Sequence, residues 1–289
     1  MSLFMKIISK EFTEKEAIDL LRQFRENNER RSKEVESIGM LYNTNVKNAS
    51  ERYMIMEQMI FAMLDCHMYG GAAMEIYCLS QAFPGSMRVM RYKAMLLEAE
   101  EKYDEALEIL DRIIKADETN APARKRRIAI MKAQGQITEA IKELVDYLKK
   151  FMSDVEGWQQ LCELYLQAGE LQRAAFCAEE LLLHQPHCHL HHQRLADIRY
   201  TMGGVENMEL AKSYYCHALK LNPDNMRATL GLFLTTTNLL NHYKSSGNSS
   251  KRKEVWKLSQ WVQTKAARRT ALNHSTQLTN MMLNLAITE

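Results

Sequence analysis

The densest cluster of chemically capable side chains is the run His184 to His192, HQPHCHLHH, with five histidines and Cys188. Imidazole and thiolate are the ligands of zinc sites, which need donors converging at roughly 2.0–2.3 Å with a fixed second shell. No second Cys/His cluster answers this one, and the run coincides with a boundary between helical segments. It is read as a polar exposed turn that binds no metal. The other four-residue concentration of charge, Arg124-Lys125-Arg126-Arg127, suits phosphate. It lacks interleaved aromatics and stands alone, so it is read as a solvated or partner-facing patch. There is no glycine-rich phosphate loop, GxSxG or HExxH motif, and the carboxylates are spread along helices. The expectation is no catalytic residue, no cofactor and no enzyme activity.

The elements that carry these residues follow from composition and periodicity. The 289 residues are 46% hydrophobic and 26% charged, with only 4 Pro and 11 Gly, which favours long helices joined by short turns. Nineteen methionines suit irregular helix–helix interfaces. A net charge of +2 is too small for nucleic-acid binding by bulk electrostatics. The six cysteines form no CxxC pair and most sit in apolar helical patterns, which fits a reducing compartment. Met1 to Lys10 has no signal-like apolar run. The most apolar stretch, Leu230 to Leu240, is interrupted by Thr235, Thr236, Thr237 and Asn238 and is short of the ~20 residues of a membrane span.

A repeat organises the middle of the chain. Pro84 and Pro186 lie three 34-residue steps apart, and Pro223 follows after 37, the excess falling at Met202-Gly203-Gly204. In this register one position reads Ala72, Ala106, Ala140, Ala174 and Ala211, as expected where a second helix crosses the first at ~8–10 Å and only a small side chain fits. The unit from 155 to 188 adds Trp158, Leu161 and Tyr165 on one face of its first helix, Gly169 as its stop, and Leu181 and Pro186 beyond. The fold class is therefore all-α, a tetratricopeptide-repeat right-handed superhelix (α-solenoid) with helical caps at both ends.

Full units are placed at 53–86, 87–120, 121–154, 155–188 and 189–225, with an imperfect pair from Met226. Residues 1–52 hold capping helices: Thr13-x-x-Glu16 is a capping box opening a helix to about Asn27, and a second helix runs from Ser32 to Tyr42. Lys244 to Lys253, KSSGNSSKRK, reads as a flexible loop, followed by C-terminal capping helices near 254–271 and 275–287. First helices of such repeats line the inner face. Arg88, Arg91, Lys125, Arg126 and Lys132 come from the front units and Glu156, Glu163 and Asp197 from the rear ones, so a partner-binding groove polarised from basic to acidic is expected.

The segments FPGSMRVMRYKAM (83–95), ARKRRIAIMKAQG (123–135), AAFCAEELL (174–182) and YTMGGVENMELAKSYYCHALKLNPDNMRA (200–228) resemble the subunit 2 family of the endoplasmic reticulum (ER) membrane protein complex. The likeness covers about residues 50–235 and includes the Gly203-Gly204 insertion. It implies a non-catalytic scaffold on the cytoplasmic face of the endoplasmic reticulum, peripheral to the membrane. Such a scaffold supports insertion of tail-anchored and multi-pass clients. The implied partners are the insertase-like subunit 3, subunit 5 and the cytosolic subunit of the 8/9 type. A competing reading is a co-chaperone adaptor for chaperone C-terminal peptides. It lacks the expected groove Asn, the corresponding positions being Phe61, Met95, Ala129, Glu163 and Asp197. A helical-repeat RNA binder would need a groove basic along its whole length, against Glu156, Glu163 and Asp197.

Overall fold

The computed structural model describes residues 13–42 and 48–272, with side chains to 267. Among these residues there are fourteen helices and no strand. They fall into two units, Met1–Gln136 and Ile137–Glu289. The expected helix at 275–287 lies outside the described residues.

In the first unit, α1 (Glu14–Glu26) and α2 (Ser32–Tyr42) precede the pairs α3 (Ala49–Asp65) with α4 (Tyr69–Ala82) and α5 (Met87–Ala99) with α6 (Tyr103–Ala116). A last helix, α7 (Ala121–Ala133), completes it. Both halves of the Thr13/Glu16 capping box form, and Asn48 and Asn120 cap α3 and α7 through their side chains. Leu21, Phe24, Val35 and Ile38 pack with Ile55, Met59 and Met63, so α1 and α2 bury the front of α3. Gly39 makes that approach possible: a Cβ there would meet the Met59 sulfur at 2.5 Å.

In the second unit, α8 (Ile137–Lys150) is followed by α9 (Val155–Gln167) with α10 (Leu171–His184) and α11 (His189–Met202) with α12 (Val205–Leu221). α13 (Met226–Ser245) and α14 (Ser249–Leu272) form the last pair. First helices start at Met87, Ala121, Val155 and His189, each 34 residues after the one before, and then at Met226 after 37. The added length is absorbed where Gly203 and Gly204 both take positive φ, +74° and +80°, a backbone that side chains rarely adopt.

Ala72, Ala106, Ala140, Ala174 and Ala211 are all fully buried. The α9–α10 crossing is close enough for the Cys162 thiol to donate to the Ala174 carbonyl at 3.4 Å. Leu161 and Tyr165 are buried beside it. Trp158 is only half-buried; its indole N–H donates to the Met152 carbonyl at 2.8 Å and its ring meets Phe176 edge-on at 6.2 Å.

The expected loop 244–253 is corrected. Helix α13 runs to Ser245 and α14 begins at Ser249, so the break is residues 246–248. The polar composition is a stop and a start rather than a linker. Gly247 turns the chain and the Asn248 side chain accepts from Lys251 N–H at 3.3 Å, a cap for α14. Lys251 also sits over the Tyr243 ring at 5.7 Å, tying the two helices together across the turn.

Burial pushes the thiols of Cys162 and Cys177 up to about 11 and about 12, whereas Cys78 is exposed. At neutral pH iodoacetamide should therefore modify Cys78 early and leave Cys162 and Cys177 untouched until the second unit unfolds. Peptide mass spectrometry of a native time course checks this; early loss of Cys162 would contradict the packing described.

Candidate partner-binding faces

The first helices place their charges in a regular way. In the first unit Arg88 on α5 reaches back to Glu57 on α3 at 2.5 Å, and its Nε donates to the Tyr92 hydroxyl at 2.9 Å. That hydroxyl bond, before the nearby Glu57 charge, holds the Arg88 guanidinium above its ordinary range. Arg126 on α7 reaches back to Glu98 on α5 at 3.2 Å. Burial raises the Glu98 carboxyl and Arg126 opposes the rise. Arg91 lies with its guanidinium 5.5 Å from the Tyr92 ring centre, and Lys125 and Lys132 are half-buried. Neither Arg91 nor Lys132 has a carboxylate partner among the described residues.

The second unit repeats the arrangement. Glu163 on α9 accepts from Arg194 on α11 at 3.0 Å. Asp197 on α11 accepts from Arg227 on α13 at 2.9 Å and from the buried Tyr215 hydroxyl at 2.5 Å. Burial first, then this bond, pushes the Tyr215 phenol well above its ordinary range. Glu156 is exposed.

The expected polarisation therefore needs correction. Of the basic residues assigned to the front units, Arg88 and Arg126 are neutralised by carboxylates on the preceding first helix. Of the acidic residues assigned to the rear, Glu163 and Asp197 are neutralised by arginines on the following one. Most of the named side chains are half-buried rather than exposed, Arg88 and Glu156 excepted. The partners Glu57, Glu98, Arg194 and Arg227 lie 28 to 31 residues away, so no inspection of one helix reveals them. The signal that would have found them is an acid and an Arg about one repeat apart.

The sequence reading also left out what α1 and α2 contribute. A cavity of about 580 Å³ in the first unit is floored by Phe24, Met54, Phe61 and Met95 and rimmed by Arg25, Arg30, Arg31, Arg88 and Arg126. Phe61 and Met54 are 38% and 43% exposed, and Phe61 meets Tyr92 edge-on at 5.5 Å. Arg25 is held by Glu51 and Gln58, and Arg30 is bidentate to Asp65 at 2.7 and 2.5 Å. Glu29, Glu57 and Asp65 also line it, and each of the five arginines is paired with a carboxylate, so the cavity offers a partner an apolar floor within a ring of ion pairs.

The histidine-rich turn disperses its rings instead of converging them. His191 pairs with Gln185 at 3.0 Å, and His192 donates to the Pro186 carbonyl at 2.9 Å and stacks on His217. The two ring nitrogens of His189 face the amides of Asn222 and Asn225 at 3.1 and 3.0 Å. Asn225 in turn donates to Gln193 and caps α13. His189 thus belongs to the joint between repeats. Among the described residues no group of three or more His, Cys, Asp or Glu side chains could hold a metal ion.

Comparison with known proteins fits this geometry. A family model described as the EMC2 TPR-like repeat domain matches residues 74–202, and a tetratricopeptide repeat model matches 204–225. ER membrane protein complex subunit 2-A of Xenopus laevis is 44% identical over 235 residues, 81% of this chain and 79% of that protein. The chain belongs to the ER membrane protein complex subunit 2 family. A more distant member of the subunit 2 family, from Dictyostelium discoideum, is 34% identical over 71% of the chain. Among solved structures, the C-terminal part of a TPR repeat-containing protein from Cytophaga hutchinsonii aligns with a TM-score of 0.61. It covers 92% of this chain and 99% of that one at 14% identity, and so carries the fold alone. The subunit 2 family is one of tetratricopeptide-containing subunits, and no described helix of this member is long and apolar enough to cross a membrane.

Proposed function

We propose that the chain is a scaffold subunit of the ER membrane protein complex, peripheral on the cytoplasmic face of the endoplasmic reticulum. Its role there is to hold cytosolic parts of the membrane subunits so that tail-anchored and multi-pass clients are inserted. The observation that carries the reading is the 44% identity to a subunit 2 protein across 81% of the chain. The cavity of the first unit supports it, since an apolar floor within a ring of ion pairs can receive a tethered cytosolic segment. The expected partners are the insertase-like subunit 3, subunit 5 and the cytosolic subunit of the 8/9 type. The scaffold takes no cofactor and performs no chemistry of its own.

Affinity purification of the tagged chain from mild-detergent membrane extracts tests this. A stoichiometric set of multi-pass subunits is the expected result, and heat-shock chaperones alone would remove the assignment in favour of the adaptor reading. Charge reversal at Arg91 and Lys132, expected groove cations with no carboxylate partner among the described residues, should lower recovery of the membrane subunits several-fold at unchanged melting temperature. Full recovery with both reversed would show that these cations do not orient the partner.

A further inference from the structure

The last of the described helices concentrates positive charge. Lys251 to Leu272 of α14 contain seven Lys and Arg and one Glu, a net of +6, while the whole chain carries +2. The rest of the protein therefore carries −4. Helix α14 packs on α13 through Val255, Ser259, Val262 and Ala266, all buried. Its opposite side presents Lys253, Lys257, Trp261 and Lys265 at successive four-residue steps, a stripe along one helix face. Lys253 and Lys257 are exposed, Trp261 is 50% exposed, and the Lys265 ammonium lies 4.8 Å from the Trp261 ring centre. Beside Trp261 a cleft of about 400 Å³ opens between α12 and α14, with Lys220 and Lys265 on it and Leu219, Pro223 and Leu258 within.

We propose that this face of α14 is a docking surface for an anionic phospholipid bilayer. Charge complementarity carries the argument. Basic side chains are drawn to an anionic leaflet by ~1 kcal/mol each near the surface, and the attraction fades within a Debye length. The remainder of the chain is net negative and is repelled by the same leaflet, so the attraction is confined to α14. Trp261 supplies the amphipathic ring that settles at headgroup level, and the flanking lysines can lay their stems along it. Other occupants fit less well. A folded acidic protein needs a buried apolar centre, and this face offers a single exposed aromatic. Single-stranded nucleic acid needs successive rings to stack on, and Trp261 stands alone. Because the apolar side of α14 is already packed on α13, the contact is electrostatic and superficial rather than an insertion.

The test uses the purified full chain and protein-free vesicles, so its outcome does not depend on which complex the chain joins. Flotation with phosphatidylcholine vesicles should recover little protein. Vesicles with roughly a third phosphatidylserine should recover most of it at low salt and lose it at high salt. The combined change Lys253→Gln, Lys257→Gln and Lys265→Gln should weaken binding on the order of a hundredfold, about fivefold for each charge removed. Trp261→Ala should weaken it less and abolish any quenching by brominated lipid. Equal binding to neutral and anionic vesicles would overturn the proposal. So would a triple variant that binds like the original at unchanged helicity, or tighter binding to a single-stranded oligonucleotide than to anionic vesicles.

Discussion

Gly231→Ala should destabilise the second unit by about 2–4 kcal/mol, although the same change in an open helix gains about 1 kcal/mol. The reason is Tyr215, whose ring lies across the backbone of α13. A Cβ at position 231 would stand 2.4 Å from its Cζ and 2.6 Å from its hydroxyl. The ring cannot swing aside freely, because it is 2% exposed and its hydroxyl is bound to Asp197, which also holds Arg227. Moving the ring disturbs the core and leaves a half-buried carboxylate short of a donor. Urea denaturation of the second-unit signal measures the cost. Placing Gly231→Ala in a Tyr215→Leu background isolates the clash, since the smaller side chain should remove most of the additional penalty. Equal costs in the two backgrounds would show that the clash is not the cause.

Ala174→Leu should cost roughly 1–3 kcal/mol by overpacking the α9–α10 crossing. Ala174 is fully buried, and its carbonyl receives the Cys162 thiol from the facing helix. An isobutyl group there must push the helices apart or force neighbouring side chains off their rotamers. Gln172→Leu on the exposed side of the same helix is the control and should stay within about 0.5 kcal/mol. In a repeat protein the damage should concentrate in the altered pair and its neighbours. Hydrogen exchange by peptide should thus show α9 and α10 losing protection first, and uniform loss along the chain would contradict that picture.

What the sequence made legible was whatever is written within one helix or one period. The capping box at Thr13, the column of buried alanines and the glycine pair at 203–204 are local or strictly periodic, and each can be seen without knowing what packs where. Charge pairing is neither. Arg88 read alone is a groove cation, and only the packing of α5 on α3 brings Glu57 to it. The same blindness hid Arg194 beside Glu163 and Arg227 beside Asp197. At Lys244 to Lys253 composition misled, because Ser, Gly, Asn and Lys are common to linkers and to capped helix ends. Spacing decided between them, with Gly247 and Asn248 adjacent as a stop and a start. Arg25 on α1 and Arg30 and Arg31 in the turn after it were set aside as parts of a cap, yet they line the cavity.

The direction of the ion pairs has a consequence for assembly. Between repeats the carboxylate stands on the earlier first helix and the guanidinium on the later one, as in Glu57–Arg88 and Glu163–Arg194. Where α1 and the turn after it meet α3 the order is reversed: Arg25 and Arg30 precede Glu51 and Asp65. Helix α3 thus presents acid on both sides. Glu51 and Asp65 receive guanidinium groups from the segment that precedes them, so α1 and the turn after it are matched to α3 by charge as well as by apolar packing. A further repeat in the register of the others would bring a carboxylate to that face and could not take their place.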